Sequence, residues 1–388
     1  MSDVLIYHNI LWSHYKGRVF SELNRLCTQQ GIACYVVHFA LSERQRASLG
    51  DVEYSLHEYP YALLSNGAYD DLSTRVKVLL ALKALKQHDP RVIVLPGYWD
   101  PAYWAILMAA RIQGRKVIVA CDSTELDHRR TWSKEFLKRQ FIRHCQGGFA
   151  YGIRAKNYLV KLGMPEKRIT IRCQAASNTD LAFAFRSAQP DRRRFIAELD
   201  LCQRNFCYVG RLSPEKNVPL LIKAFARLRM MNRNARDWGL LIVGDGPDRE
   251  SLVELAKHEN IPNARFVGGV GWRQVPRYLA ICDVLVLPSS SEPWGLVVNE
   301  AMVCGLPVLV SNRCGCVEDL VIEGVTGHSF DCQDVDALAK RMEYFVDSPD
   351  RIAEYGRNAK SLIDRYSPYA AASQMVHGLQ DLLQADAA

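Results

Sequence analysis

No stretch of this chain stays apolar for long. The run from Ile106 to Ala110 stops at Arg111, and Val303 to Val310 is interrupted by Gly305 and Pro307. Neither approaches the ~20 apolar residues that a spanning helix needs. The opening Met1-Ser2-Asp3 puts no basic region ahead of an apolar one, so no signal peptide is expected. Cys-x-x-Cys does not occur, and Cys314-Gly315-Cys316 has no second pair at zinc spacing. The dinucleotide fingerprint is missing too. Val243-Gly244-Asp245-Gly246-Pro247 leads to Arg249 where a third glycine would stand, which disfavours an NAD-dependent oxidoreductase. Low-complexity tracts and short repeats are also lacking.

What is present has a globular balance. The 388 residues are 48% hydrophobic and 23% charged, a composition and length suited to two soluble domains. The twelve cysteines sit mostly in apolar segments and read as reduced core thiols of a cytoplasmic protein. Charge is unevenly placed. Of a net +7, residues 111–172 hold fifteen Lys or Arg against five Asp or Glu. Such a local excess suits an anionic partner or a solvated face.

Short apolar runs alternate with helical patterns twice along the chain. In the first half these runs are Val4 to Tyr7, Ala33 to Val37, Val92 to Leu95, Val117 to Ala120 and Gly148 to Tyr151. In the second they are Phe206 to Val209, Leu240 to Val243, Ala264 to Val267, Val284 to Leu287 and Val308 to Val310. Buried strands alternating with helices predict parallel sheets covered on both faces. The expected fold class is therefore α/β, with two Rossmann-like doubly wound domains facing across a cleft and ligands at the strands' carboxyl ends. The polar stretch around Arg186 to Arg194 contains Pro190 and lacks apolar periodicity. The expected organisation is a domain over 1–185, a linker over 186–203, a domain over 204–368 and a helix over 369–388 that returns to the first domain.

The chemistry-bearing residues follow predicted strands. Gly210-Arg211-Leu212-Ser213-Pro214-Glu215-Lys216-Asn217 comes directly after Val209. Gly210 permits the turn, and the Arg211 guanidinium and Lys216 ammonium can converge on one anion, a diphosphate being the obvious candidate. Two surface cations in a loop are the plain alternative. Glu292-Pro293-Trp294-Gly295-Leu296-Val297-Val298-Asn299-Glu300 follows the strand ending at Leu287. A helix starting near Gly295 would offer open amides at Gly295, Leu296 and Val297 to phosphate or sugar oxygens. The carboxylates of Glu292 and Glu300 would accept from vicinal hydroxyls. Gly305-Leu306-Pro307-Val308 and Cys314-Gly315-Cys316 read as scaffolding for that loop.

In order and spacing, the motifs from Phe206 to Gly327 resemble those of glycosyltransferase family 4, of the glycosyl transferases group 1, whose fold is GT-B. The resemblance implies a metal-independent retaining hexosyltransferase with no cofactor, using a nucleotide-diphosphate sugar as donor substrate. It implies catalytic roles for Arg211, Lys216 and Glu292. Arg211 and Lys216 would hold the diphosphate and Glu292 would face the donor sugar. Donor binding falls to Gly210, the segment at Trp294, Gly295, Leu296 and Val297, to Glu300 at the ribose, and to Val270 beside the base. In the first half, acceptor-binding by the resemblance, Tyr15-Lys16-Gly17-Arg18 is similar to a glycine turn near the donor phosphates, making Gly17 a donor-binding candidate. Asp122 stands roughly where the family places a histidine, and joins the catalytic candidates. His128, six residues later, reads as a surface residue.

Bacterial glycan or glycoconjugate assembly is the pathway that the resemblance suggests. The expected partners are a nucleotide-diphosphate sugar and a hydroxyl acceptor such as a lipid-linked glycan, and not nucleic acid. The basic segment 129–143 carries Trp132, Phe136, Leu137 and Phe141 beside its cations. Two readings are open for it: an amphipathic helix on an anionic membrane surface, associated with the membrane's inner face, or one packed on the first sheet. A non-catalytic nucleotide-sugar-binding partner or regulator is the alternative function.

Overall fold

The computed structural model describes residues 2–44, 50–127 and 130–384. His128 and Arg129, the start of the basic segment, lie outside the described residues. The chain forms two compact units. One is Met1–Ala175 with Tyr366–Ala388, the other Ala176–Arg365.

The first unit holds a parallel seven-stranded sheet. Its strands are β1 (Val4–Ile10), β2 (Cys34–Ala40), β3 (Tyr61–Leu63), β4 (Val92–Leu95), β5 (Lys116–Cys121), β6 (Gly147–Ala150) and β7 (Ile169–Thr170), in the order β3-β2-β1-β4-β5-β6-β7. Both faces are covered, so β4 is a continuous Val-Ile-Val-Leu run, and β1 and β5 are apolar over Val4–Tyr7 and Val117–Cys121. One face packs against the helices Thr74–His88, Pro101–Ile112 and Trp132–Arg143; the other receives His14–Gln29 and the C-terminal helix Pro368–Gln384. That last helix places Ala371, Ala372, Met375, Val376 and Leu379 in the core, and the Arg91 guanidinium donates to the Leu383 carbonyl at 2.8 Å.

The second unit has a parallel six-stranded sheet: β8 (Arg204–Val209), β9 (Trp238–Val243), β10 (Ala264–Gly268), β11 (Val284–Leu287), β12 (Val308–Ser311) and β13 (Gly327–Phe330), in the order β10-β9-β8-β11-β12-β13. In each unit the strand order reverses beside the first strand, between β1 and β4 and between β8 and β11. In open α/β sheets a crevice opens at such switch points, outside the strands' carboxyl ends.

The expected linker over 186–203 is not extended chain. Residues Asn178–Ala188 and Arg192–Glu198 are helices within the second unit. The arginine that made the stretch look solvated is the reason: Arg192 donates to the Ala280 carbonyl at 2.6 Å and to Asp283 at 3.1 Å, while Phe195 and Ile196 are buried. The chain passes between units near 175 and 365 instead.

Candidate functional site

Three glycines shape the strand ends of the second unit. Gly210, at φ +156°, follows β8; a Cβ there would stand 2.8 Å from the Tyr208 hydroxyl, which itself donates to the Arg211 carbonyl at 2.7 Å. Gly244, at φ +148°, follows β9 so closely that a Cβ would meet the Gly210 carbonyl at 1.8 Å. Gly246 presses on the Leu212 carbonyl in the same way. The Leu212 amide then bonds to the Asp245 carbonyl at 2.9 Å. Backbone packing on backbone, with the Tyr208 hydroxyl on the Arg211 carbonyl, fixes the loop carrying Arg211 and Lys216.

That loop is tied to its neighbour across the switch point. The Glu215 carbonyl accepts from the Ser290 amide at 2.8 Å and from the Ser290 hydroxyl at 3.1 Å. The tie brings Lys216 onto Glu292, where ammonium and carboxylate are in contact, with Ser289 donating to the same carboxylate at 3.5 Å. The pair is mostly enclosed, Lys216 at 19% and Glu292 at 13% exposure, so its Coulomb attraction is little screened. Arg211 is more open, at 48%; it donates to Ser213 at 3.2 Å and to Glu215 at 2.5 Å. Burial works to raise the Glu215 carboxyl, but the Ser213 hydroxyl, its own amide and Arg211 outweigh it and hold the group below the usual range.

Glu292 is anchored from behind. Its carbonyl accepts from the Gly315 amide at 2.8 Å, and the Trp294 carbonyl from the Cys316 amide at 3.2 Å. The Cys314-Gly315-Cys316 turn thus braces the loop in the scaffolding role expected of it. Gly295, at φ +97°, precedes the helix Leu296–Val303, whose opening amides at Leu296 and Val297 have no acceptor one turn back. The Trp294 indole is buried and donates to Asn299 at 2.9 Å, so its side chain shapes the loop. Glu300 lies inside the helix and is buried as well. Val270 follows the edge strand β10, half-buried, next to a depression of about 510 Å³ lined by Asp245, Gly246, Pro247, Arg249, Glu250 and Gly268.

In the first unit the candidates fall differently. Gly17 is not in a glycine turn. It lies inside the helix His14–Gln29 with its amide bonded to the Ser13 carbonyl at 2.9 Å. Its lack of a side chain serves packing, since a Cβ would come within 2.9 Å of the His57 ring. Asp122 follows β5 and reaches solvent. Desolvation in a crowded surround pushes its carboxyl up, its own amide draws it down, Asp127 adds to the rise, and Lys16 and Ser123 oppose it. Lys16, the residue before Gly17, was not anticipated. It is buried beneath the strand ends, 4.5 Å over the Tyr151 ring and 3.5 Å from the Cys173 carbonyl. Burial brings its ammonium down to about 8, against the opposing pull of Cys173 and Asp122. No sequence signal marks a buried lysine. Glu215 and Ser213 carried a visible one, lying in the motif with Glu215 four residues after Arg211. Among the described residues no group of three or more His, Cys, Asp or Glu is set to hold a metal ion.

The basic helix Trp132–Arg143 splits its expected apolar stripe. Phe141 and Ile142 are buried, while Trp132 (83% exposed), Phe136 and Leu137 face outward, the two rings stacked at 5.8 Å. Lys134, Arg139 and Arg143 are exposed alongside.

Two Rossmann-like units with parallel sheets are the domains of the GT-B fold, and solved structures share it. The Anabaena protein HepE, determined with UDP and glucose, superposes with a TM-score of 0.73 at 16% identity, covering 98% of this chain and 100% of that one. Sucrose-phosphate synthase from Thermosynechococcus elongatus gives 0.74 at 17% identity, over 99% and 100%. In sequence, residues 191–362, within the second unit, match the family model of the glycosyl transferases group 1. Glycogen synthase of Mycobacterium tuberculosis is 37% identical over 154 residues, 39% of this chain and 36% of the relative. The GDP-mannose-dependent alpha-(1-6)-phosphatidylinositol monomannoside mannosyltransferase of Mycolicibacterium smegmatis is 33% identical over 156 residues, 38% and 40%. The chain thus matches well under half the length of either curated relative.

Proposed function

We propose that the protein is a retaining glycosyltransferase that moves a sugar from a nucleotide-diphosphate sugar to a hydroxyl acceptor, in the assembly of a bacterial glycan or glycoconjugate. The observation that carries this reading is the convergence of Lys216, Glu292 and Arg211 at the β8–β11 switch point. Relatives named as glycosyltransferases, and a structural neighbour holding UDP and glucose, support it.

In this reading the diphosphate is held by Arg211 and Lys216, with the amides of Leu296 and Val297 close by. Both cations rest on carboxylates in the free protein, so the arriving phosphates take over charge–charge partners that are already placed. Glu292, released from Lys216, accepts from sugar hydroxyls, and Glu300 from the ribose. The depression beside Val270 takes the base. The bond from the anomeric carbon to the phosphate oxygen breaks as the bond to the acceptor oxygen forms on the same face. The acceptor's proton passes to the leaving phosphate, and cationic side chains, not a metal, offset its charge. Attack by the Asp122 carboxylate is the competing route, and an adduct at Asp122 detected by mass spectrometry would favour it.

The test is release of free nucleoside diphosphate from a panel of nucleotide sugars in the presence of acceptor. Turnover supports a transferase. Nucleotide-sugar binding with no release under any pairing would favour a non-catalytic partner protein instead.

A second observation extends the reading. The outward Trp132, Phe136 and Leu137, flanked by exposed cations, fit a helix lying on an anionic membrane surface, where a lipid-linked acceptor would be held. No helix among the described residues is long and apolar enough to cross a membrane. Absence of co-sedimentation with anionic vesicles at low salt would remove the proposal.

A further inference from the structure

The first sheet presents one exposed aromatic ring at its carboxyl edge that is held rigidly from below. Trp99 follows β4, and its side chain is 60% exposed. An indole left in water gives up the free energy of burial, so its fixed placement calls for a physical reason. The ring meets Tyr69 edge-on at 5.7 Å and Tyr103 at 5.6 Å. Gly97, at φ +142°, lets the chain fold back under it; a Cβ there would stand 3.3 Å from the indole Cδ1.

The two tyrosines are themselves pinned by buried charge. Tyr69 donates to Asp100 at 2.6 Å and bonds to the Tyr103 hydroxyl at 3.0 Å. Lys77 pairs with Asp100 at 2.9 Å and lies 3.6 Å over the Tyr69 ring. Tyr103 donates to Asn9, at the end of β1. Lys77 and Asp100 are both buried. A buried ion pair of this kind adds little stability beyond what apolar residues would give, and none of its members serves the transfer proposed above. What the network does accomplish is to fix the rings that hold Trp99.

A rigid, exposed indole suits one ligand chemistry well. The C–H face of a pyranose ring packs on an aromatic plane, while its hydroxyls turn to polar neighbours. We propose that Trp99 is the stacking platform of the acceptor subsite, and hence that the acceptor presents a saccharide ring at this edge. The inference rests on the glycosyltransferase reading and adds the class of acceptor to it.

Saturation-transfer NMR and tryptophan fluorescence on the full chain test it. The probes are methyl α- and β-glucosides, galactosides, mannosides and N-acetylglucosaminides, with maltose, and UDP and GDP serve as donor-side probes. At least one saccharide should bind the wild type, lose affinity at least tenfold in Trp99→Ala and stay within threefold in Trp99→Phe. Nucleotide affinity should be the same in all three proteins. Equal saccharide binding by Trp99→Ala overturns the platform, as does a wild type that binds nucleotide but no saccharide, and in both cases the donor reading stands. A wild type that binds neither nucleotide nor saccharide overturns the transferase reading, and the platform with it.

Discussion

Lys216 shows how a single side chain can be both stabilised and kept available. Its partner Glu292 satisfies it in the free protein, yet neither group is fully enclosed, so an anion can enter between them. Lys216→Ala should lower transfer on the order of 10²–10³-fold, by analogy with the loss of one preorganised donor. Its thermal midpoint should also fall, because the mostly enclosed Glu292 carboxylate loses the ammonium that compensates it. Steady-state kinetics alongside calorimetry would check both halves. Gly244 is the opposite case. A methyl group there meets a carbonyl at 1.8 Å and forces a residue with a side chain to φ +148°. Gly244→Ala should cost about 3 kcal/mol or block folding, measured by urea denaturation. A third residue-scale effect concerns acid. His38 and His57 share the Tyr59 hydroxyl, at 3.1 and 2.6 Å. Burial brings His38 down to about 2, helped by His8 and His57, and His57 down to about 4. Both are neutral when folded, whereas the unfolded chain protonates them near pH 6.5. The unfolded state therefore binds more protons as pH falls below ~6.5, and stability drops by up to about 1.4 kcal/mol per pH unit for each group. Denaturation between pH 7 and 5 should show this slope, and a His38→Gln, His57→Gln double variant should flatten it.

Among elements, legibility followed burial on two faces. The central strands β1, β4, β5, β8, β9 and β11 were plain because both faces are covered and each carries an apolar run of four or more residues. The strands β3, β7 and β13 were not visible in the sequence. Each is an edge strand of four residues or fewer, and Gly327-His328-Ser329-Phe330 has no apolar run to betray it. The helix over 192–198 was hidden for a different reason: three arginines dominate its composition, and the carbonyls and carboxylate that Arg192 reaches lie about ninety residues away. The loops around Arg211 and Glu292 were legible as motifs, but the ties between them, through the Glu215 carbonyl and the Cys314-Gly315-Cys316 turn, are main-chain contacts that leave little trace in residue type. For the basic helix, a Trp132→Glu, Phe136→Glu variant should lose binding to anionic vesicles with little change in stability, since both rings are exposed. Retained vesicle binding would place the contact elsewhere.

At the scale of the molecule, the second unit carries nearly all of the recognised sequence, and the first carries fold alone. This follows from chemistry. A diphosphate demands particular cations and amides at fixed spacing, so its site can be read; an acceptor site is made of loops whose residues answer to one ligand. Gly17, expected at the phosphates, lies in the first turn of its helix against the His57 ring, and Lys16 beside it is a buried cation. The two-unit organisation also predicts how ligands act on stability. A nucleoside diphosphate at 100 times its dissociation constant should stabilise the second unit by about 2.7 kcal/mol. The most direct measurement is calorimetric titration of UDP and GDP into the wild type and into Arg211→Ala and Lys216→Ala. Saturable binding of one nucleotide, weakened at least tenfold by either substitution, is the predicted result; binding unchanged in both variants would place the donor elsewhere and contradict the site.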